Sequence, residues 1–404
     1  MLKNTVKKLA IITPGFKPVP SVKGGAIEQL ITDMLIANEA TYNYDIDVYT
    51  IYDRDIDSNH FNHTNIIYVK SKWYDFFIRG INFVKRKFLI NRRSNFDYLS
   101  YMMEREFKTD YYDIVLVENN MDTFISLLKK IKKERLFFHL HNDFDCNDPA
   151  KTESKTQIVI NNVDGILTVS NYLKEKLEKY GAKNVFFVPN FVKNQEFNKQ
   201  SLVQKIMLRS KYHFEKNDVI VTYIGRLDKE KGVDKLLEAI YLLRDYPKIK
   251  CLIVGESLDP SSQNEYNEKI NRLVKSLKER VVLTGYIKNT DLASIYAISN
   301  FIVIPSQCEE AFGLVALEAM KMRKAVIASE SGGLPEVLSV KGAVILKKGN
   351  DFVTNLAMAI KKLSEDKKLC KKMGEYNYKK SKTFPQNSKD YFVKVVNVLN
   401  GTNN

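Results

Sequence analysis

The chain of 404 residues is sparing in cysteine, tryptophan, proline and acid: it holds four Cys, one Trp, ten Pro, and 48 Asp and Glu against 63 Lys and Arg. Cys146, Cys251, Cys308 and Cys370 are scattered and form no C-x-x-C pair. That spacing excludes a disulfide scaffold and a thiolate zinc site, and it is read as reduced thiols in a cytosolic protein. No apolar run is long enough to span a bilayer, and 9–12 is too short for the core of a signal peptide. The expectation is a soluble protein, or one that at most lies on a membrane. No G-x-G-x-x-G follows this first apolar run, so the fingerprint of a dinucleotide oxidoreductase is missing. The shortage of acid leaves a net charge of +15. Such a balance suits a phosphate-bearing partner, whether nucleic acid, an anionic membrane surface or a phosphorylated substrate. A lysine-rich proteome would give the same balance.

What the chain does have is apolar patterning. Hydrophobic residues make up 44%, and the length suits two domains of ordinary size. Short apolar runs at 9–12, 46–51, 66–69, 114–117, 136–140, 165–169 and 185–188 alternate with amphipathic stretches at 26–39, 98–108, 121–132 and 172–179. The second half repeats this, with strands expected at 219–224, 251–254, 281–283, 301–304, 325–328 and 343–346. Helices are expected there at 233–243, 265–277, 291–298, 313–322, 352–363 and 368–376. Nearly unbroken apolar strands separated by helices mean a parallel sheet covered on both faces. The fold class is therefore α/β, with two Rossmann-like domains, 1–192 and 202–383, joined by the polar stretch 193–201. A last amphipathic segment within 384–404 is expected to pack back on the first domain. Ligands bind beyond the C-terminal strand ends of such sheets, so two of them facing each other would make a deep cleft.

The most informative stretch is Glu309-Glu310-Ala311-Phe312-Gly313-Leu314-Val315-Ala316-Leu317-Glu318. It sets two carboxylates eight positions apart around a helix start. Six residues from Phe312 to Glu318 rise about 9 Å in a helix, roughly the span from the sugar to the ribose of a nucleotide sugar. Unpaired N–H groups at the helix N-terminus attract an anion. A second motif, Gly225-Arg226-Leu227-Asp228-Lys229-Glu230-Lys231-Gly232, lies where a strand ends and a helix begins. Arg226 and Lys231 can bracket one diphosphate and neutralise it as it departs. A solvated loop with surface salt bridges would carry the same residues.

Weaker signals accompany these. Lys23-Gly24-Gly25 opens the first helix, where paired glycines free the backbone to approach phosphate; by itself the pair is also an ordinary turn. His139-Leu140-His141 ends a strand, and alternation points both imidazoles to one side. His141, nearer the strand's C-terminal end, is the better candidate to bind a sugar hydroxyl or steady developing charge. A structural histidine is the alternative. Gly332-Gly333-Leu334-Pro335 is a ligand-facing turn or a plain connection. The segment 73–96 interleaves Arg79, Lys85, Arg86, Lys87, Arg92 and Arg93 with Trp73, Phe76, Phe77, Phe83 and Phe88. Such a mixture suits a lipid headgroup region or a lipid-linked acceptor, and a solvated helix face is the plainer reading.

Taken together, the second motif and the paired carboxylates, roughly eighty residues apart, resemble those of the retaining glycosyltransferases of the GT-B architecture, family four. The resemblance covers essentially the whole chain. It implies that Glu310 contacts donor sugar hydroxyls and acts with His141 at the reacting centre. Phe312, Gly313 and Leu314 would present backbone to sugar and phosphate, and Glu318 would accept from the ribose. Arg226 and Lys231 would hold the diphosphate, Gly25 would approach phosphate and acceptor, and the loop through Ile287 would touch the base. Val188-Pro189-Asn190 resembles the family's interdomain Pro-Asn element, with Phe191-Val192 in place of its usual small residues. His139 competes with His141 for its role. The implied reaction moves a hexosyl unit from a nucleotide diphosphate sugar, a UDP-sugar by default, to an acceptor hydroxyl with retention. The implied acceptor is a glycan or lipid-linked glycan for a surface polysaccharide. No cofactor, metal or nucleic-acid partner is implied, and no carboxylate pair of the double-displacement glycosidase kind stands out. Two rivals differ in chemistry: a nucleotide-sugar epimerase, which would need no acceptor, and a basic nucleic-acid-binding module, which would leave the paired glutamates unexplained.

Overall fold

The computed structural model describes residues 6–56, 61–70, 98–144, 149–193, 202–257 and 265–402. The basic-aromatic segment 73–96, Cys146 and linker residues 194–201 lie outside these. The chain divides into two compact units, Met1–Pro189 with Ser388–Asn404, and Asn190–Asn387. The division falls just before Asn190, three residues ahead of the boundary read from the sequence, and the Lys321 ammonium ties the Val192 carbonyl to the second unit.

The first unit holds β1 (Lys7–Ile12), β2 (Tyr44–Ile51), β3 (Thr64–Val69), β4 (Ile114–Glu118), β5 (Arg135–Leu140), β6 (Gly165–Thr168) and β7 (Val185–Phe187). They form one sheet in the order β3-β2-β1-β4-β5-β6-β7, and the pairings are parallel. Every residue of β4 is buried, which is why its sequence runs apolar without alternation. The chain returns to this unit with the helix Ser388–Asn400. Its Tyr391, Phe392, Val395, Val398 and Leu399 are buried, and Arg135 donates to the Leu399 carbonyl at 2.7 Å.

The second unit holds β8 (Val219–Ile224), β9 (Ile249–Val254), β10 (Val281–Leu283), β11 (Phe301–Ile304), β12 (Ala325–Ser329) and β13 (Ala343–Leu346). Their order is β10-β9-β8-β11-β12-β13, again parallel. Both units thus have doubly wound, Rossmann-like topology. Strand order reverses between β1 and β4 in the first and between β8 and β11 in the second. The helix Val233–Leu242 buries Val233, Leu236, Leu237 and Ile240 on one face. Each such side chain contributes about 1.5–3 kcal/mol, so this face fixes the helix against the sheet. Helices Pro149–Asn162 and Leu202–Lys211 were not expected from the sequence. The first is largely polar, so its apolar period is weak. Among the described residues no helix is long and apolar enough to cross a membrane.

Candidate active site

The motifs of the second unit converge at its topological switch point. The loop after β8 begins at Gly225, and the loop after β11 runs through Ser306 to Gly313. Asp228 caps the 3-10 turn Lys229–Lys231, its carboxylate accepting from the Lys231 N–H at 2.9 Å. Gly232 then takes φ 68°. A Cβ there would overlap the Pro305 carbonyl oxygen, so only glycine lets the two loops touch backbone to backbone. The Gln307 N–H donates to the Glu230 carbonyl at 2.7 Å and seals the contact.

This packing brings the Lys231 ammonium to 2.6 Å from Glu310 Oε1. The Ser306 hydroxyl donates to the same oxygen at 2.6 Å. Arg226 is not part of this contact. Its half-exposed guanidinium lies 3.3 Å from Asp228 and 3.7 Å from Glu230. The two cations of the loop therefore have different local partners.

Gly313 precedes the helix Leu314–Lys321 with φ 92°, and a Cβ would strike the Leu334 side chain. The helix starts at Leu314, one residue later than the sequence suggested, because Gly313 takes this left-handed turn. Ala316, Leu317, Ala319 and Met320 anchor it, all fully buried. Phe312 is also buried, edge-on to Phe384 with ring centroids 5.7 Å apart. Its side chain is thus core, and only its backbone can serve a ligand. Glu318 accepts a 2.6 Å hydrogen bond from the Tyr296 hydroxyl. Burial, and then the Glu318 charge, push the Tyr296 phenol well above its usual pKa, which keeps it a donor. Ile287 is half-buried in the loop after Gly285, whose carbonyl accepts from the Gly255 N–H at 3.0 Å.

In the first unit Gly25 heads the helix Ala26–Thr41 with φ 110°. The Glu28 carboxylate fills the space a side chain would take there. Burial raises the pKa of Glu28.

At the end of β5, the rings of His139 and His141 lie with centroids 3.9 Å apart and planes tilted by 41°. The sequence did not single out their partner, Glu118. It closes β4 and pairs in register with His139. Its Oε2 lies 2.7 Å from His141 Nε2 and 3.2 Å from His139 Nδ1. Glu118 and His139 are fully buried and His141 is 6% exposed, so His141 is the histidine nearer the surface. Neighbouring Asn119 accepts from the backbone N–H groups of His141 and Asn142 at 2.9 and 3.1 Å. One residue pair thus grips both ring and main chain. Burial opposes ionisation of Glu118, yet the two imidazoles outweigh it and hold the carboxyl down at about 2. Burial and the His139 imidazole push His141 down to about 4, against the pull of Glu118. The available signal was a carboxylate ending an unbroken apolar strand, but its register to the histidines is a tertiary fact.

One ligating atom from each of Glu118, His139 and His141 lies within 4.8 Å of the others. Two tetrahedral zinc ligands sit roughly 3.3 Å apart at ordinary bond lengths. The 2.7 Å separation of His141 and Glu118 is instead that of a charge-assisted hydrogen bond. Among the described residues Cys251, Cys308 and Cys370 are free thiols.

Residues 204–380 match the family model described as glycosyl transferases group 1, and residues 44–196 match the model for glycosyltransferase family 4. The chain is 27% identical over 227 residues to the lipopolysaccharide 1,2-N-acetylglucosaminetransferase of Salmonella typhimurium, a match over 55% of this chain and 56% of that protein's length. In structure it is similar to sucrose-phosphate synthase from Thermosynechococcus elongatus, with TM-score 0.74, 19% identity and coverage of 98% and 99% of the two chains. The Anabaena protein HepE, solved in complex with UDP and glucose, gives TM-score 0.71 at 17% identity, over 98% of this chain and all of the other. These structural likenesses show the GT-B fold.

Proposed function

The chain belongs to the GT-B glycosyltransferases of family four, and from that premise we propose that it moves a hexosyl unit from a nucleotide diphosphate sugar, in first instance a UDP-sugar, to an acceptor hydroxyl with retention of configuration. The observation that carries this reading is the meeting of Lys231 and Glu310 at the switch point of the second sheet, where doubly wound folds bind nucleotides. In this reading the arriving diphosphate draws the Lys231 ammonium from Glu310. The carboxylate is then released to accept from sugar hydroxyls. Arg226 joins Lys231 on the phosphates, and backbone N–H groups after Gly313 complete the anion site. Glu318, held by Tyr296, accepts from the ribose, and the backbone near Ile287 meets the base.

The chemistry then needs orientation and relief of leaving-group charge. Two cations on one loop can supply that counter-charge, which supports a metal-independent reaction in which the leaving phosphate helps take the acceptor proton. The first unit contributes Gly25 and His141, the latter through a hydrogen bond to a sugar hydroxyl. A UDP donor is supported by the UDP and glucose bound to the Anabaena protein. A surface glycan or lipid-linked acceptor is supported by the lipopolysaccharide enzyme among the relatives. Contact with an anionic membrane through 73–96 remains part of the proposal.

The test is a panel of nucleotide sugars scored for hydrolysis, transfer and protection against heat unfolding. Protection by UDP and turnover of at least one UDP-sugar are expected. Protection by no nucleotide overturns the reading, and epimer formation without acceptor replaces it with an epimerase.

A further inference from the structure

Buried His141 has one ring nitrogen on Glu118 and one without a partner. Nε2 lies 2.7 Å from the carboxylate, while Nδ1 is buried and makes no hydrogen bond. An ionised carboxylate only accepts, so the shared proton resides on Nε2. Nδ1 then carries a bare lone pair. A buried acceptor left unpaired is destabilising, and a hydroxyl donor docking there would relieve it. The Glu118 contact holds the ring itself, and Asn119 fixes the main chain that carries it.

We infer that Glu118 is a positioning residue for His141, fixing the tautomer in which Nδ1 accepts a hydrogen bond from a substrate hydroxyl. The assignment of a carbohydrate hydroxyl as that donor rests on the function proposed above. The titratable groups facing this pair are His139 on β5, Glu118 itself on β4, and the buried Tyr391 of the C-terminal helix. The Tyr391 phenol is raised by burial and by the Glu118 charge. The negative charge of Glu118 favours imidazolium, so Glu118→Gln should lower the pKa of His141 further.

Two independent measurements test this. In the full chain labelled with nitrogen-15 histidine, and with His141 assigned by loss of its signal in His141→Asn, wild type should show Nε2 protonated and Nδ1 bare near neutral pH. Glu118→Ala should mix the tautomers and Glu118→Asp should retain the wild-type pattern. An Nδ1-protonated His141 in wild type, or no change in Glu118→Ala, overturns the assignment without reference to activity. In donor turnover, Glu118→Gln should lower kcat at least tenfold with donor KM within twofold. Its acidic limb should move to lower pH, and Glu118→Asp should recover most of the rate. A purely structural role would lower the rate without moving that limb. Full activity with an unmoved limb in Glu118→Gln sinks the positioning role and leaves the glycosyltransferase reading standing. Failure of wild type on every nucleotide sugar sinks that reading, while the nitrogen spectra still decide the tautomer.

Discussion

Lys231 Nζ lies 2.6 Å from Glu310 Oε1 across 79 residues of sequence. Neither residue is fully exposed, with 24% and 15% of the side chains accessible. The pair is therefore partly screened, and its worth to stability is about 1 kcal/mol. Its worth to the reaction is larger, because both groups are proposed to meet charge that changes during transfer. Lys231→Ala and Glu310→Gln should each lower kcat by about 10²–10³, with thermal midpoints close to wild type. The exchanged pair Lys231→Glu with Glu310→Lys should restore the ion pair but not turnover. Recovery of turnover in the exchanged pair would assign the contact to structure alone.

Gly232 is the second lever on the same contact. Its positive φ and the Pro305 carbonyl against it leave no room for a methyl group. The obstacle is backbone, which cannot rotate aside as a side chain would. Gly232→Ala should therefore separate the loop after β8 from the loop after β11. Expected are a loss of about 1–3 kcal/mol in stability and a larger fall in activity than that loss explains. Urea midpoints and kcat/KM on one preparation check both.

Tyr296→Phe removes one oxygen from a fully buried ring and leaves its packing intact. Glu318 loses a charge-assisted donor at 2.6 Å. If Glu318 holds the ribose, UDP affinity should fall about fivefold to twentyfold, equivalent to about 1–1.8 kcal/mol. The chemical step should change little. Calorimetric titration with UDP and single-turnover rates separate these outcomes; a lower rate with unchanged affinity would remove Glu318 from the ribose.

The sheets were legible because their central strands, such as β4 and β11, are nearly unbroken apolar runs buried along their whole length. Positions 219–224 and 301–304 coincide with β8 and β11, and the Lys231 and Glu310 loops follow from them. The helix Pro149–Asn162 was hidden by its polarity, since its place depends on tertiary packing more than on its own periodicity. Phe312 sat inside the richest motif, yet its side chain belongs to the core with Phe384. Glu118 was hidden for a different reason. A carboxylate after Ile114-Val115-Leu116-Val117 reads as the place where a strand meets water. Only the register of β4 on β5, which sets Glu118 opposite His139, turns it into a buried partner.

That buried partner gives stability a pH dependence whose sign follows from His141. The unfolded imidazole takes up a proton below about 6.5, whereas the folded one, desolvated beside His139, resists until about 4. Between these values the unfolded state binds more protons, so stability rises with pH and is lost as pH falls from 6.5 toward 4. Glu118 acts lower: its carboxyl ionises near 4.5 unfolded and about 2 folded, so its contribution is present above 4.5 and lost on acidification through that window. From pH 7 to pH 5 the loss should thus come from His141, on the order of 2 kcal/mol. His141→Gln keeps a donor for Glu118 and removes the titration. Its urea midpoint should change less than that of wild type across the same interval, even if its midpoint at pH 7 is lower. Equal pH slopes for the two proteins would mean that His141 takes up its proton as readily folded as unfolded.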